Sequence, residues 1–416
     1  MIHNLKHSFT ADIQLFMQYY IGEVVAGLGR IPDETLDLLS QKLAGTIRDG
    51  RTIFAFGNGG SEAIAEHFIY ALNNVVEGFK FHSCSNPKAS ELTDSSSCTS
   101  FDRTIKRQGR AGDLALLISA SGNSVNINNV AIACREENVT SISLTGGGRI
   151  VSEQRSDIPV VSNIGDQQIL EDVTQITIHL LTEITCLRLQ NRDFAIDKIR
   201  NRHATDLKKS FTSIDSLYLS NMADGIINAF RRGSAVYVLA PDDGALSITA
   251  SHVLHNLKWD AWSDIDFRLS NRVYSGFPTC HITGLSNDGA AGYVHAIDIQ
   301  DNGTCGDIVI LFARHMGSEK VRAVQMAAAI NDCVVYPICF KSGNRWVDAD
   351  AAQMLGHVMG RTVNTTLLLE QGDICREKFG KHLIENDLAL LRQRKHIRKN
   401  LKRRYSAAKA PQKVRM

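Results

Sequence analysis

The feature that most constrains this chain is a rhythm. Short apolar runs rich in branched residues alternate with longer amphipathic stretches, and the pattern occurs twice. In the first two hundred residues the runs are Arg51–Phe56, Leu114–Ser119, Ser141–Thr145 and Ile158–Ser162, which read as strands buried on both faces. Amphipathic stretches separate them. In the last, Ile169, Val173, Ile176, Leu180 and Ile184 recur at three and four residues, the spacing of one helical face. The alternation restarts with Ala235–Ala240, Asp307–Ala313 and Val334–Phe340, each followed by a helical stretch. Alternating strands and helices predict an α/β fold with mostly parallel sheets.

Two landmarks superpose the halves. His67 and His252, 185 residues apart, both sit on the helix after the first strand of their half. Gly112-Asp113 and Gly306-Asp307, 194 apart, each open a later strand. The chain therefore reads as a tandem duplication: residues 1–195, a polar linker at 196–209, a second copy at 210–372, and a basic helical tail at 373–416.

Composition narrows the class. With 416 residues, 44% hydrophobic and 22% charged, the chain can bury the cores of two or three domains, which excludes disordered and fibrous classes. No run reaches the ~18 apolar residues of a membrane span, and the start lacks a signal peptide's layout. The nine cysteines are scattered without a CxxC pair, so no disulfide framework or cysteine-rich zinc module is expected. These features predict a soluble, cytoplasmic protein. The net charge of +2 hides a polarity: from Arg392 onward there are eleven basic and no acidic residues, leaving the body acidic. Such a tail either pairs as a solvated helix with that body or binds nucleic acid through phosphate contacts.

Two loops carry the chemistry. Gly57, Asn58, Gly59, Gly60 and Ser61 lie between a strand and a helix, where glycine admits close approach and the helix start offers unpaired N–H groups to an anion. A tight turn needing glycine would use the same residues. Ser119, Ser121 and Ser124, with Gly122 and Asn123, crowd a second strand-to-helix junction. Three hydroxyls exceed what one N-cap needs, so the pair of loops reads as a phosphate cradle at the ends of parallel strands.

These segments, together with the Glu171–Leu181 helix, resemble the sugar isomerase (SIS) family in order and spacing. Within it they are most similar to sedoheptulose 7-phosphate isomerases and their non-catalytic DnaA-binding relatives. The likeness covers about residues 10–190 and fades over 210–370. It implies two tandem SIS-type domains, each a flavodoxin-like parallel sheet between helices, the second degenerate. It also implies aldose–ketose isomerisation of a sugar phosphate at a zinc-assisted site. On this likeness His67, Glu171 and His179 hold zinc, His179 or Glu171 moves protons, and Asp94 approaches the sugar with Asn58, Gly59, Gly60, Ser61, Ser119, Ser121 and Ser124. Family members form homotetramers, so a homodimer of tandem chains would rebuild a four-domain assembly.

The bland readings are a core histidine for His179, a packed or capping histidine for His67, dipole-favoured acids at Glu171 and Asp172, and a turn residue for Asp94. The family's general base, a glutamate four residues after the first histidine, is Ala71 here, and a nearby aspartate is Ile64. Three routes remain. Glu171 acts as base; or the second copy, through the helix of His252, His255 and Asn256, lends a group; or the chain is a phosphosugar-binding or assembly module without turnover.

Overall fold

The computed structural model describes residues 2–76, 81–83, 100–262, 273–275 and 293–370; Asp94 and the basic tail lie outside them. Two all-parallel sheets form. The first contains β1 (Ile53–Phe56), β2 (Phe81–Ser83), β3 (Leu114–Ser119), β4 (Thr140–Thr145) and β5 (Ile158–Val161), in the order β2-β1-β3-β4-β5. The second contains β6 (Val236–Leu239), β7 (Val273–Ser275), β8 (Ile308–Ala313) and β9 (Val334–Cys339), in the order β7-β6-β8-β9. The second order repeats the first without its fifth strand. All seven anticipated runs are strands; β2 and β7, three residues each, were too short to show a pattern.

Thirteen helices surround the sheets among the described residues. The first half has α1 (Ile2–Leu28), α2 (Asp33–Arg48), α3 (Gly60–Val75), α4 (Ser100–Gln108), α5 (Val125–Glu136), α6 (Arg149–Ser152) and α7 (Gln167–Leu189). Then follow α8 (Ile196–Thr212), α9 (Ser216–Arg232), α10 (Gly244–Trp262), α11 (Val294–Asn302), α12 (Glu319–Ile330) and α13 (Arg345–Glu370). Strand alternation sorts the core. Phe54, Phe56, Ala115 and Leu117 face outward onto α4 and α5, while Ile53, Ala55, Leu114, Leu116 and Ile118 face a central helical layer. That inner cluster runs on without a break to Val236, Val238, Ile308 and Ile310 of the second sheet. The two halves therefore share one core, with α3, α7, α10 and α13 between their sheets.

The duplication is visible in matching details. Gly112 and Gly306 adopt φ of +90° and +86°, where a side chain would be strained. Asp113 accepts from the amides of Thr52 and Arg110, each at 2.8 Å. Asp307 does the same with Ala235 at 2.7 Å and Thr304 at 2.8 Å. The segment 196–209 differs from the expected linker. It is the body of α8, because its polar residues mask a stripe of Ile199, His203, Leu207 and Phe211 that is buried.

Each buried aspartate joins two backbone donors that nothing else in its turn satisfies. Asp113→Ala and Asp307→Ala are each expected to lower unfolding free energy by about 2–3 kcal/mol, since two charge-assisted bonds are lost. Chemical denaturation checks this; a change below about 0.5 kcal/mol in both would contradict the assignment.

Candidate active site

In a sheet ordered like the first one, chain connections diverge between β1 and β3, and their C-terminal ends open a crevice. The Gly57–Ser61 and Ser119–Ser124 loops leave those two strands. They are tied together: the Asn58 and Asn126 side-chain amides exchange hydrogen bonds of 3.0 and 2.8 Å. Gly59, at φ +57°, precedes α3, and Ser124 precedes α5; neither helix start is capped by a side chain. Ser119 and Ser121 accept from the amides of Gly122 (3.1 Å) and Asn123 (3.2 Å), which shapes the loop. Ser121 is exposed, Ser124 half-buried, and Ser61 buried. Two uncapped helix N-termini beside hydroxyls form a cradle suited to an anion.

Where the second copy repeats this crevice, carboxylates fill it. Asp243, at the position of Asn58, caps α10 by accepting from Ala245 (2.9 Å) and Leu246 (3.1 Å). Arg345 lies 3.6 Å from Asp243, and Arg314 donates to Asp348 at 2.9 Å. Asp242 accepts from the amide of His315 at 3.1 Å. Ser318 caps α12, accepting from Val321 at 3.3 Å. The protein's own acids thus hold the donors that an anionic ligand would use.

The expected zinc set is not brought together. Residues 171 and 179 are eight apart on one helix, a rise of ~12 Å, and their side chains take different partners, His252 and His357 for Glu171 but Asp350 and Trp346 for His179. Glu171 instead meets the second copy: its Oε2 lies 3.4 Å from His252 Nε2 and 3.6 Å from His357 Nε2. One ligand atom from each of the three lies within 4.8 Å of the others, and all three residues are buried. His67 and His179 lie elsewhere, edge to face with ring centroids 5.5 Å apart. His67 Nε2 contacts Thr249 Oγ1 at 2.9 Å, and His179 stacks on Trp346 with centroids 4.9 Å apart.

The partners of the trio determine its chemistry. His252 donates from Nδ1 to Gln353 Oε1 (2.7 Å), and His357 from Nδ1 to Asp172 Oδ1 (3.0 Å). Gln353 donates to Asp172 at 2.9 Å, and Tyr20 donates to it at 2.6 Å. Both imidazoles are therefore protonated at Nδ1, and both Nε2 atoms, without a hydrogen-bond partner, turn toward a carboxylate. Three electron-pair donors converge, so a positive charge belongs among them. One candidate is a proton: burial opposes charging His357, but Asp172 and then Glu171 lift it to about 10. Burial would raise Glu171, yet His252 and His357 hold it below the usual carboxylate range. The other candidate is a divalent cation. Zinc at bonds near 2.1 Å spaces tetrahedral ligands by about 3.4 Å, close to the two contacts, so Glu171, His252 and His357 would suit such an ion.

Gly60 joins the cluster to the cradle. A methyl there would lie 2.7 Å from both Glu171 Oε2 and His252 Nε2, so only glycine lets the start of α3 close on the trio.

Residues 20–146 match the family model described as SIS domain. The phosphoheptose isomerase of Shewanella denitrificans is 31% identical over 198 residues, covering 44% of this chain and 94% of that protein. The chain belongs to the SIS domain family. The phosphoheptose isomerase of Aliarcobacter butzleri is 29% identical over 185 residues, covering 42% of this chain and 93% of that protein. Both matches span less than half of this chain. The fold extends further: the C-terminal domain of glucosamine-fructose-6-phosphate aminotransferase from Francisella tularensis superposes on 84% of this chain and 94% of its own, with TM-score 0.54 and 11% identity. The first half thus carries the family match and the phosphoheptose isomerase relatives, and the second half shares the fold.

His357 escapes the sequence reading, whereas His252 lies on the helix through which the second copy is expected to lend a group. A signal existed: Asp172, Gln175 and His179 recur with the same spacing as Asp350, Gln353 and His357, 178 residues later. The side chains of His255 and Asn256, at the positions of Tyr70 and Ala71, lie outside the described residues.

Two outcomes follow. Gly60→Ala should abolish ligand binding at the cluster while leaving secondary structure intact, as read by cobalt titration and circular dichroism. Glu62, in the first turn of α3, has its carboxyl lifted by burial and by Glu66 to about 7 from 4.5. The fold therefore favours its neutral form, and the stability this gives is complete below 4.5 and lost as pH rises through about 7. Glu62→Gln should flatten the fall in Tm between about pH 5 and about pH 8.

Proposed function

We propose that the protein is an aldose–ketose isomerase of a sugar phosphate, sedoheptulose 7-phosphate or a near relative, with a divalent cation held by Glu171, His252 and His357. One observation carries the reading: at Gly60 the uncapped start of α3, one wall of the anion cradle, abuts that trio. A ligand gripped by its phosphate at Gly57–Ser61 and Ser119–Ser124 would direct its other end to the cluster. Asp94, outside the described residues, is assigned to the sugar by the family likeness alone. A cation in the trio supplies a Lewis acid that polarises the substrate carbonyl.

The chain's own groups do the rest. Asp172 and Gln353 hold the two imidazoles by Nδ1, fixing Nε2 toward the reacting end. Gln167 donates to Glu171 Oε1 at 3.1 Å and orients the carboxylate. Glu171 is assigned the proton transfer between C1 and C2; His179, a helical rise of ~12 Å away and stacked on Trp346, is withdrawn from that role. The second copy lends two side chains to the first, the route left open by Ala71, which is buried and inert. Two such chains paired would place four SIS-type units in one assembly.

Ala71 favours a second reading, a phosphosugar-binding module without turnover. NMR of sedoheptulose 7-phosphate incubated with the full chain and zinc separates the two. Appearance of an aldose 7-phosphate supports the isomerase; thermal stabilisation by the sugar phosphate with no product supports the binder. For the isomerase, Glu171→Gln retains an oxygen ligand but no proton carrier, so kcat should fall about 10²–10⁴-fold with metal content preserved.

A further inference from the structure

The cation cluster has a twin at the positions that the duplication relates to it. A shift of 178 residues carries α7 onto α13, so Asp172, Gln175 and His179 correspond to Asp350, Gln353 and His357. A shift of 185 carries His67 onto His252. The surroundings follow the same operation. Asp350 accepts from His179 Nδ1 (2.8 Å), Gln175 (3.1 Å) and His203 (2.7 Å), as Asp172 accepts from His357, Gln353 and Tyr20. His67 and His179 are thus the counterparts of His252 and His357, fully buried, with His67 Nδ1 and His179 Nε2 left without a hydrogen-bond partner.

His67 also differs from His252 in its partners, its Nε2 meeting Thr249 Oγ1 at 2.9 Å where the first copy has Ile64, and three further positions act against a ligand. Glu171 corresponds to Ala349, so the twin has no carboxylate. Gly60 corresponds to Ala245, a buried methyl where the first cluster needs bare backbone. Gln168 corresponds to Trp346, whose ring covers His179. The adjoining cradle is also filled by Asp243. We propose that the chain carries one cation site and one silenced twin, in which His67 and His179 keep the imidazole frame of a metal centre but bind none because of Ala349, Ala245 and Trp346. This rests on the cation reading of Glu171, His252 and His357.

The twin's histidines then have a packing role, and the site count per chain is one. Cobalt(II) serves as the probe, with the full chain desalted after loading and its metal content and visible absorption measured. Wild type should hold one cobalt per chain. His252→Asn should lose it, whereas His67→Asn should keep it with an unchanged spectrum. The triple variant A245G/W346Q/A349E should hold two. Adding E171A to the triple variant should return the count to one, now dependent on His67. Loss of cobalt on His67→Asn with retention on His252→Asn overturns the proposal. So does a folded triple variant that stays at one while wild type holds one, and that result leaves the first site's reading intact. No cobalt in wild type removes both. The two single-histidine variants need no redesigned core, so they decide between the sites even where the triple variant does not fold.

Discussion

Two buried carboxylates, Asp172 and Asp350, organise the middle of this molecule. Each sits on a helix of one half and takes its partners largely from the other: Asp172 holds His357 and Gln353, and Asp350 holds His179, Gln175 and His203. Burial alone would push Asp350 up, but His179 and His203 hold it well below the usual carboxylate range. A buried charge of this kind is tolerable only while its donors stay in place, and breaking such a group costs roughly 3–5 kcal/mol. The reciprocity fixes the register of α7 against α13. From that register follow the aim of the imidazoles and the meeting of Glu171 with His252 and His357.

Duplication released the two sites from identical roles. A symmetric pair of clusters would need a carboxylate, a glycine and an open cradle in both places. Here the first has all three, and the second has Ala349, Ala245 and an Asp243-filled crevice. The division is asymmetric in a further sense. The open cradle belongs to the first copy, while two of the three convergent ligands belong to the second. The core is shared in the same way, one buried cluster running from the first sheet to the second.

Ala71 illustrates why position-by-position inheritance from a family is an incomplete guide. At that position the first copy lacks the family's base, and viewed alone it lacks a mechanism. Packing of α10 against α3 brings the imidazole of His252, 181 positions beyond Ala71, against Glu171. The start of α3 at Gly60 closes directly on Glu171 and His252, an approach that a side chain there would prevent.

The sequence by itself determined the elements and the cradle. Strands buried on both faces must be continuous apolar runs, and glycine and serine at strand ends are local requirements that leave local marks. It also carried the duplication, through Gly112-Asp113 and Gly306-Asp307, whose turns impose the same φ and the same amide acceptors. What only the tertiary structure decided was the membership of the cluster and the nature of α8. Composition hid α8, because a helix needs just one apolar stripe and its other faces can be wholly polar. The cluster was hidden because the helical rise separates Glu171 from His179 along one axis, whereas the crossing of two distant helices sets Glu171 beside His252 and His357.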